Sequence, residues 1–546
     1  MEHFTPVQDI DGLVDDARIS YAQGRTRSAS WREQQLRALY RFTIKEEDAL
    51  TAAVHMDLRK SPAETVIFEI GFVRNAIIYA LEHLHDWMNP TKVCGGSLAF
   101  ALDRCEIRND PLGVVLIIGT WNYPIYLSLS PLVSAIAAGN AVVMKFSELA
   151  PHTSLALYSL LPKYMDPTSI KYVYGDIPQS SKLLEMPFGL IFYTGNATVA
   201  RVVMQAAAKH LTPVVLELGG KSPVIVDKQT DVQSTVKRIL WAKIINAGQA
   251  STTDPITCVA PDHVYVHKSI AQDFYAYVPT AIKELLGDNP AASDVYPRLI
   301  NRRHFERLEK VLGDQLKVAG TEIVHGGQMN SNDLFISPTV LRGVSADATI
   351  HPIMDGEIFG PILPIIEYSD IEDVFAAIRE IGLWAPDQVL NKFVNDSKTP
   401  LALYPFSSNQ KFIDRVIKNV PSGNVVANDL ILSLAVDSLP FGGMGESGMG
   451  AYHGKFGFDA FTKSRAVMIR PNSLEILNKI RYQQVSFNRK KAPYHIVCWL
   501  LFRHMPSRFM LNVRRLSMWT KRAVGGLGLP LAVVLGIMIG YFLPRH

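Results

Sequence analysis

Between residues 113 and 226, short β-rich apolar runs alternate with stretches of helical spacing, and no other feature of the chain restricts its fold as much. GVVLIIGT at 113–120 predicts a strand, LVSAIAAG at 132–139 a helix, and AVVMKF at 141–146 a second strand. Further strands are predicted at 170–174, 190–193, 214–218 and 224–226. Strand and helix in turn argue for a doubly wound α/β sheet, because each parallel strand needs a crossover and a helix usually supplies it. From about Trp241 a second α/β stretch follows, carrying VYVHKSIAQDFYAYV and LINRRHFERLEKVL. A chain of 546 residues exceeds one ordinary core, so two lobes are expected. Residues near 7–88 have helical periodicity with charged faces and no evident chemistry, and they read as a helical lead-in.

With 48% hydrophobic and 19% charged residues, the composition is globular rather than disordered. The net charge of +4 conceals a split. No Asp or Glu follows Glu475, whereas twelve Lys and Arg lie between Lys479 and Arg545, which leaves residues 1–475 at −8. A mildly acidic body thus carries a basic tail, suited by composition to nucleic acid or to an anionic membrane. Residues 523–543, AVGGLGLPLAVVLGIMIGYFL, hold no charge, and as a helix they are long enough to cross about 30 Å of hydrocarbon. This run decides for the membrane over nucleic acid and predicts a C-terminal anchor, with Pro530 and the glycines leaving a re-entrant or monotopic form open. Lys521 and Arg522 place the body on the cytosolic side, and the N-terminal residues lack a signal-peptide pattern. Four cysteines, Cys94, Cys105, Cys258 and Cys498, make no disulfide framework over this length.

Five further motifs occur in order: PLGVVLIIGTWNYP at 111–124, SAIAAGNAVVMKFSE at 134–148, ELGGKSP at 217–223, EIFGP at 357–361 and LPFGGMGESGMGAYHGK at 439–455. Together they resemble the aldehyde dehydrogenase superfamily, and the NYP and AYHGK forms resemble its class 3, fatty aldehyde branch, which includes membrane-bound fatty aldehyde and hexadecenal dehydrogenases. The resemblance runs over about residues 15–470. It implies an NAD-binding lobe at 1–216 with a bridging hairpin near 97–110, a catalytic lobe at 217–430 and a return segment at 431–470. A basic connector at 471–522 then leads to the anchor at 523–543. It also implies a homodimer, the hairpin pairing with the segment near 450–467.

The activity so implied is NAD-dependent oxidation of medium- and long-chain aldehydes to acids. Hydride leaves a tetrahedral carbon, and a thiolate makes one by adding to the aldehyde; the resulting thiohemiacetal passes hydride on and becomes a thioester. Cys258 follows Asn-Ala-Gly-Gln, where the family has its nucleophile, and the other three cysteines read as structural. Glu217, behind the apolar run PVVL, is the expected general base for thioester hydrolysis, since partial desolvation raises a carboxylate toward neutral pKa. Asn122 resembles the side-chain donor to the oxyanion, with the Cys258 N–H as its partner. For the cofactor, Lys145 and Glu148 resemble the pair that reaches the adenosine ribose, and a carboxylate there favours NAD while leaving NADP open. Gly195 stands at a strand-to-helix turn suited to pyrophosphate. Glu357 resembles the residue that holds the nicotinamide ribose, with Phe359 packing beside it. No metal site is expected. Candidate membranes are the endoplasmic reticulum, the outer mitochondrial membrane and the lipid droplet surface.

One departure falls at the nucleophile. The family has Gln-Thr-Cys in succession, whereas here ASTTDPI at 250–256 separates Gln249 from Thr257. Loop closure costs little for such an insertion, but a displacement of about 1 Å at a reacting group can lower a rate roughly 100-fold. Either the extra residues point away from the site, or the chain is an NAD-binding membrane scaffold impaired in catalysis. Phe146, Asn196, Ala200, Gly356, Ser433 and Glu446 also differ from the usual family residues, none of them a group given a chemical role above.

Overall fold

The structure, a computed structural model, describes residues 4–93, 103–249, 259–381 and 399–471. It opens with helices Ile10–Ala22, Ala29–Lys45, Glu47–Leu58 and Gly71–Met88. In Ala29–Lys45 the buried residues Gln35, Leu36, Leu39, Phe42 and Thr43 recur every three or four positions, which puts one stripe against the core. Ser28 starts this helix by accepting the Trp31 N–H on its hydroxyl at 3.1 Å.

The alternating region builds a six-stranded sheet. Its order is Gly448–Met449, Val214–Glu217, Leu190–Thr194, Val114–Ile118, Ala141–Lys145 and Ile170–Val173. Gly448–Met449 is antiparallel to its neighbour and the rest pair in parallel. Every residue of Val114–Ile118 and Ala141–Lys145 is buried, and for that reason these strands are written as apolar runs, broken only by Lys145 at the end of the second. From Val114–Ile118 the chain winds first to one side, through Ala141–Lys145 and Ile170–Val173, and then to the other. The carboxyl end of Val114–Ile118 is therefore a topological switch point, where ligands of open α/β sheets collect.

A seven-stranded sheet follows, in the order Glu322–His325, Thr339–Arg342, Ile362–Tyr368, His263–His267, Pro223–Val226, Ala402–Phe406 and Asn424–Val425. Only its first pair is antiparallel. The two sheets are joined by the five residues 218–222, which lead from Glu217 at the end of one strand to Pro223 at the start of the next within ~18 Å of chain. Among the described residues the chain thus has the expected α/β fold, and each of its two large sheets is mixed through one antiparallel edge pair.

A second unit comprises Pro90–Arg108 and Ala466–His546. Its described part contains the antiparallel pairing of Thr91–Val93 with residues 105–107 and an Arg470–Asp103 ion pair at 2.9 Å. Among the described residues no helix is long and apolar enough to cross a membrane. The run at 523–543 and almost all of the basic connector lie outside them, as do residues 97–102 of the segment 97–110 expected to bridge subunits.

Candidate active site

Four of the predicted residues stand at the carboxyl ends of strands in the six-stranded sheet. Asn122 follows Val114–Ile118, Lys145 closes Ala141–Lys145, Gly195 follows Leu190–Thr194, and Glu217 closes Val214–Glu217. Thr194 and Glu217 are registered side by side. Asn122, Thr194 and Glu217 share the wall of one cavity of about 900 Å³, its open mouth included. Val259 and Ala260, the residues just after Cys258, line the same cavity. Much of the remaining wall is apolar, with Phe68, Phe72, Leu127, Ile431, Leu434 and Phe441.

Glu217 is 4% exposed, and neither carboxyl oxygen has a hydrogen-bond partner among the described residues. Burial without compensation pushes its pKa well above the usual carboxylate range. Its backbone, by contrast, is firmly tied. The carbonyl accepts the Gly195 N–H at 3.0 Å, Leu218 N–H donates to the Ser447 carbonyl at 3.1 Å, and Gly448 is its partner on the edge strand. The glycine-rich run at 441–450, within the return segment expected at 431–470, thereby supplies the strand beside Glu217.

Lys145 is buried and bonds Glu148 at 2.5 Å, so the pair expected to meet a ribose already forms one charge-assisted unit. At Gly195 an added methyl would fall 1.9 Å from the Tyr193 hydroxyl oxygen. Only glycine therefore fits beside the Tyr193 ring where helix Ala197–His210 begins, and Asn196 caps that helix by accepting the Val199 N–H at 2.5 Å. Glu357 and Phe359 lie on the loop before Ile362–Tyr368. Two buried charges hold this loop: Lys221 donates to the Gly356 carbonyl at 2.7 Å, and Asp262 accepts the Ile358 N–H at 2.9 Å. Lys221 and Asp262 are themselves paired at 2.6 Å, which keeps Asp262 ionised below the usual range despite its burial. Burial first, and then the Asp262 charge, raise Glu357 well above the usual value. Phe359 sits at φ 57° with its ring edge-on to Trp121, 6.0 Å between centroids.

Cys258 and the insertion 250–256 lie outside the described residues. Both flanks are fixed. On one side Gln249, 1% exposed, donates to the Asn246 and Arg298 carbonyls at 3.1 and 2.7 Å and accepts the Ile300 N–H at 2.8 Å. On the other, Val259 and Pro261 accept from the Tyr404 hydroxyl at 2.5 Å and the Lys243 ammonium at 2.9 Å. Sequence reasoning missed Thr194, Lys221 and Asp262, and also Lys60, Glu64 and Glu69, which reach the site from the lead-in. Lys221 stands inside the ELGGKSP motif, whereas the lead-in charges read in sequence as a solvated helix face and carry no motif.

The sequence profile of the aldehyde dehydrogenase family matches residues 4–467. The chain belongs to the aldehyde dehydrogenase family. Over 463 residues it is 42% identical to aldehyde dehydrogenase family 3 member H1 of Arabidopsis thaliana, covering 85% of this chain and 90% of that one. Over 465 residues it is 41% identical to family 3 member A2 of Mus musculus, at 85% and 89% coverage. A solved structure described as the substrate-bound state of Staphylococcus aureus AldH superposes with a TM-score of 0.80 at 34% identity, covering 89% of this chain and 98% of that one. This aldehyde dehydrogenase is therefore an oxidoreductase acting on aldehydes with NAD(P). The scaffold reading prompted by the insertion finds no support in these relatives.

Proposed function

We propose that this aldehyde dehydrogenase oxidises medium- and long-chain aldehydes with NAD at a membrane surface. The observation that carries the reading is Glu217: a buried carboxyl without a partner among the described residues, facing an apolar cavity beside Asn122 and the residues that follow Cys258. Cys258 adds to the aldehyde carbon, and the Asn122 amide with the Cys258 N–H holds the oxygen as it gains charge. Glu217 then takes the proton of the water that attacks the thioester, a transfer suited to a carboxylate that burial has made more basic than usual. A low-polarity surround also strengthens the oxygen's hydrogen bonds.

The residues present fit a dinucleotide. Gly195 leaves its turn without a side chain, and the buried Thr194 hydroxyl beside it has no partner among the described residues. Lys145 and Glu148 would hold the adenosine ribose, Gly195 the pyrophosphate, and Glu357 with Phe359 the nicotinamide ribose. A bound dinucleotide supplies hydride acceptance. Glu148 supports NAD over NADP, since a carboxylate accepts from a ribose 2'-hydroxyl and repels a 2'-phosphate. Phe68, Phe72, Leu127 and Leu434 support an alkyl chain in the cavity, and the uncharged run at 523–543 supports delivery of lipid aldehydes at a bilayer.

The test uses the full chain in detergent, with octanal or hexadecenal and NAD or NADP, following absorbance of the reduced dinucleotide. Expected are turnover favouring hexadecenal and NAD, its abolition in Cys258→Ala, and retention of the same product when 250–256 is deleted. No turnover with either aldehyde, or undiminished turnover in Cys258→Ala, would overturn the reading.

A further inference from the structure

Three charged side chains from the helical lead-in converge beneath the candidate site. Lys60 and Glu69 are fully buried and bonded at 2.9 Å, and Glu64 is 9% exposed beside them. Helix Pro62–Thr65 passes into a π turn, Val66–Ile70. In an α-helix residues five apart stand ~140° around the axis, and a wider turn reduces that angle, which suits Glu64 and Glu69 to one centre.

Their bonds go to two segments distant in sequence. Lys60 donates to the Asn122 carbonyl at 2.7 Å and lies 3.9 Å from the centre of the Tyr123 ring. Glu69 accepts the Ile125 N–H at 2.9 Å and, more weakly, the Tyr126 N–H at 3.4 Å. The turn that carries Asn122 is thus gripped on both sides. Glu64 accepts the Asn246 N–H at 2.9 Å. Asn246 is left-handed, at φ 54°, as is Ala247 at φ 52°, and its side-chain amide bridges the Asn122 carbonyl at 2.9 Å and the Gln249 carbonyl at 2.6 Å. Left-handed backbone is tolerated by asparagine but strained for alanine, and it persists only where its surroundings hold it.

We propose that Glu64, with the Lys60–Glu69 pair, is the positioning group that locks the Asn122 turn to the 246–249 segment, so that the oxyanion donor and the approach to the nucleophile move as one body. The inference rests on the assignment of Asn122 under the proposed function. Stability alone explains the triad poorly, because apolar replacements of buried ion clusters are often as stable or more so. A shared anchor for two reacting elements explains why charges with fixed directions stand there. Neither Glu64, Lys60 nor Glu69 lines the cavity, so the effect passes through Asn122 and Asn246.

The experiment compares Glu64→Ala, which removes the acceptor of the Asn246 N–H, with Glu64→Gln, which keeps an amide oxygen there. Full-chain variants are assayed for kcat and KM with hexadecenal and NAD, alongside thermal unfolding. Expected for Glu64→Ala is a kcat lowered roughly 10- to 100-fold, the range of a sub-ångström to 1 Å displacement, with KM within about threefold. Glu64→Gln is expected to recover most of the loss. Parent kcat in Glu64→Ala, or a Glu64→Gln as slow as Glu64→Ala, overturns the proposal. If Glu64→Ala does not fold, Asn246→Gly decides instead: glycine accepts the left-handed backbone and removes only the bridging amide, so a comparable kcat loss supports the proposal and parent kcat overturns it. Asn122→Ala, run in parallel, reports on the oxyanion assignment itself; unchanged kcat there removes that assignment without touching the Glu64 comparison.

Discussion

At the scale of single residues, Glu217 concentrates the site's chemistry because its buried carboxyl receives no compensating hydrogen bond from the described residues. Its oxygens have no partner among the described residues, while its backbone is bonded on both sides. The cost of this arrangement has a definite sign. Because burial raises the folded-state pKa above the ordinary 4.5, the folded chain holds a proton that the unfolded chain releases. Stability from this group is then full below about pH 4.5 and falls as pH rises toward the folded pKa. Glu217→Gln removes that dependence, so the variant should gain on the parent in denaturant midpoint between pH 5 and pH 8. The same substitution removes the base, and steady turnover should drop by roughly 100- to 10,000-fold while a first, stoichiometric burst of reduced dinucleotide persists. Equal pH dependence in the two proteins would refute the electrostatic half, and loss of the burst would refute the catalytic half.

At the scale of elements, buried parallel strands and glycine-rich returns differ in how openly the sequence shows them. Val114–Ile118 and Ala141–Lys145 were legible because both faces are covered, so nothing polar interrupts either run before Lys145 closes the second. The return at 441–450 was not legible as a strand, since five glycines mask any β pattern and only two residues pair. Its glycines have a backbone cause. Gly448 sits at φ 136°, and an added methyl would fall 2.1 Å from the Leu216 carbonyl oxygen. Gly448→Ala should therefore push the edge strand away from Glu217 and cost about 1–3 kcal/mol in chemical denaturation, whereas Met449→Ala, at a half-exposed neighbour, should cost little. Identical midpoints for the two variants would show that the edge is slack. The lead-in helices were the larger omission. Lys60, Glu64 and Glu69 look like the solvated charges of an amphipathic helix, and only tertiary packing, with the π turn at Val66–Ile70, shows them turned inward. Motif order made Asn122 and Glu217 findable; the groups that hold them carry no motif.

At the scale of the whole molecule, charge is divided along the chain, and the division makes a prediction about where catalysis happens. Residues 1–475 are net acidic and the following stretch is strongly basic, ending in the uncharged run at 523–543. An acidic body is repelled by anionic lipid, so attachment must come from the tail if it comes at all. Basic groups near an anionic surface contribute about 1 kcal/mol each and are screened beyond about 8 Å at physiological salt, whereas an inserted apolar run is indifferent to salt. The two contributions separate cleanly in a flotation assay with vesicles containing phosphatidylserine. The full chain should float at both 0.1 M and about 1 M salt, and the chain lacking 523–543 should float only at low salt. Turnover of hexadecenal embedded in those vesicles should follow flotation, while turnover of soluble octanal should be the same for both proteins, because the cavity with Asn122 and Glu217 is formed wholly within residues 68–452. If deletion of 523–543 left flotation at high salt intact, the anchor would be refuted. If it lowered octanal turnover as much as hexadecenal turnover, the tail would be acting on the fold rather than on substrate delivery.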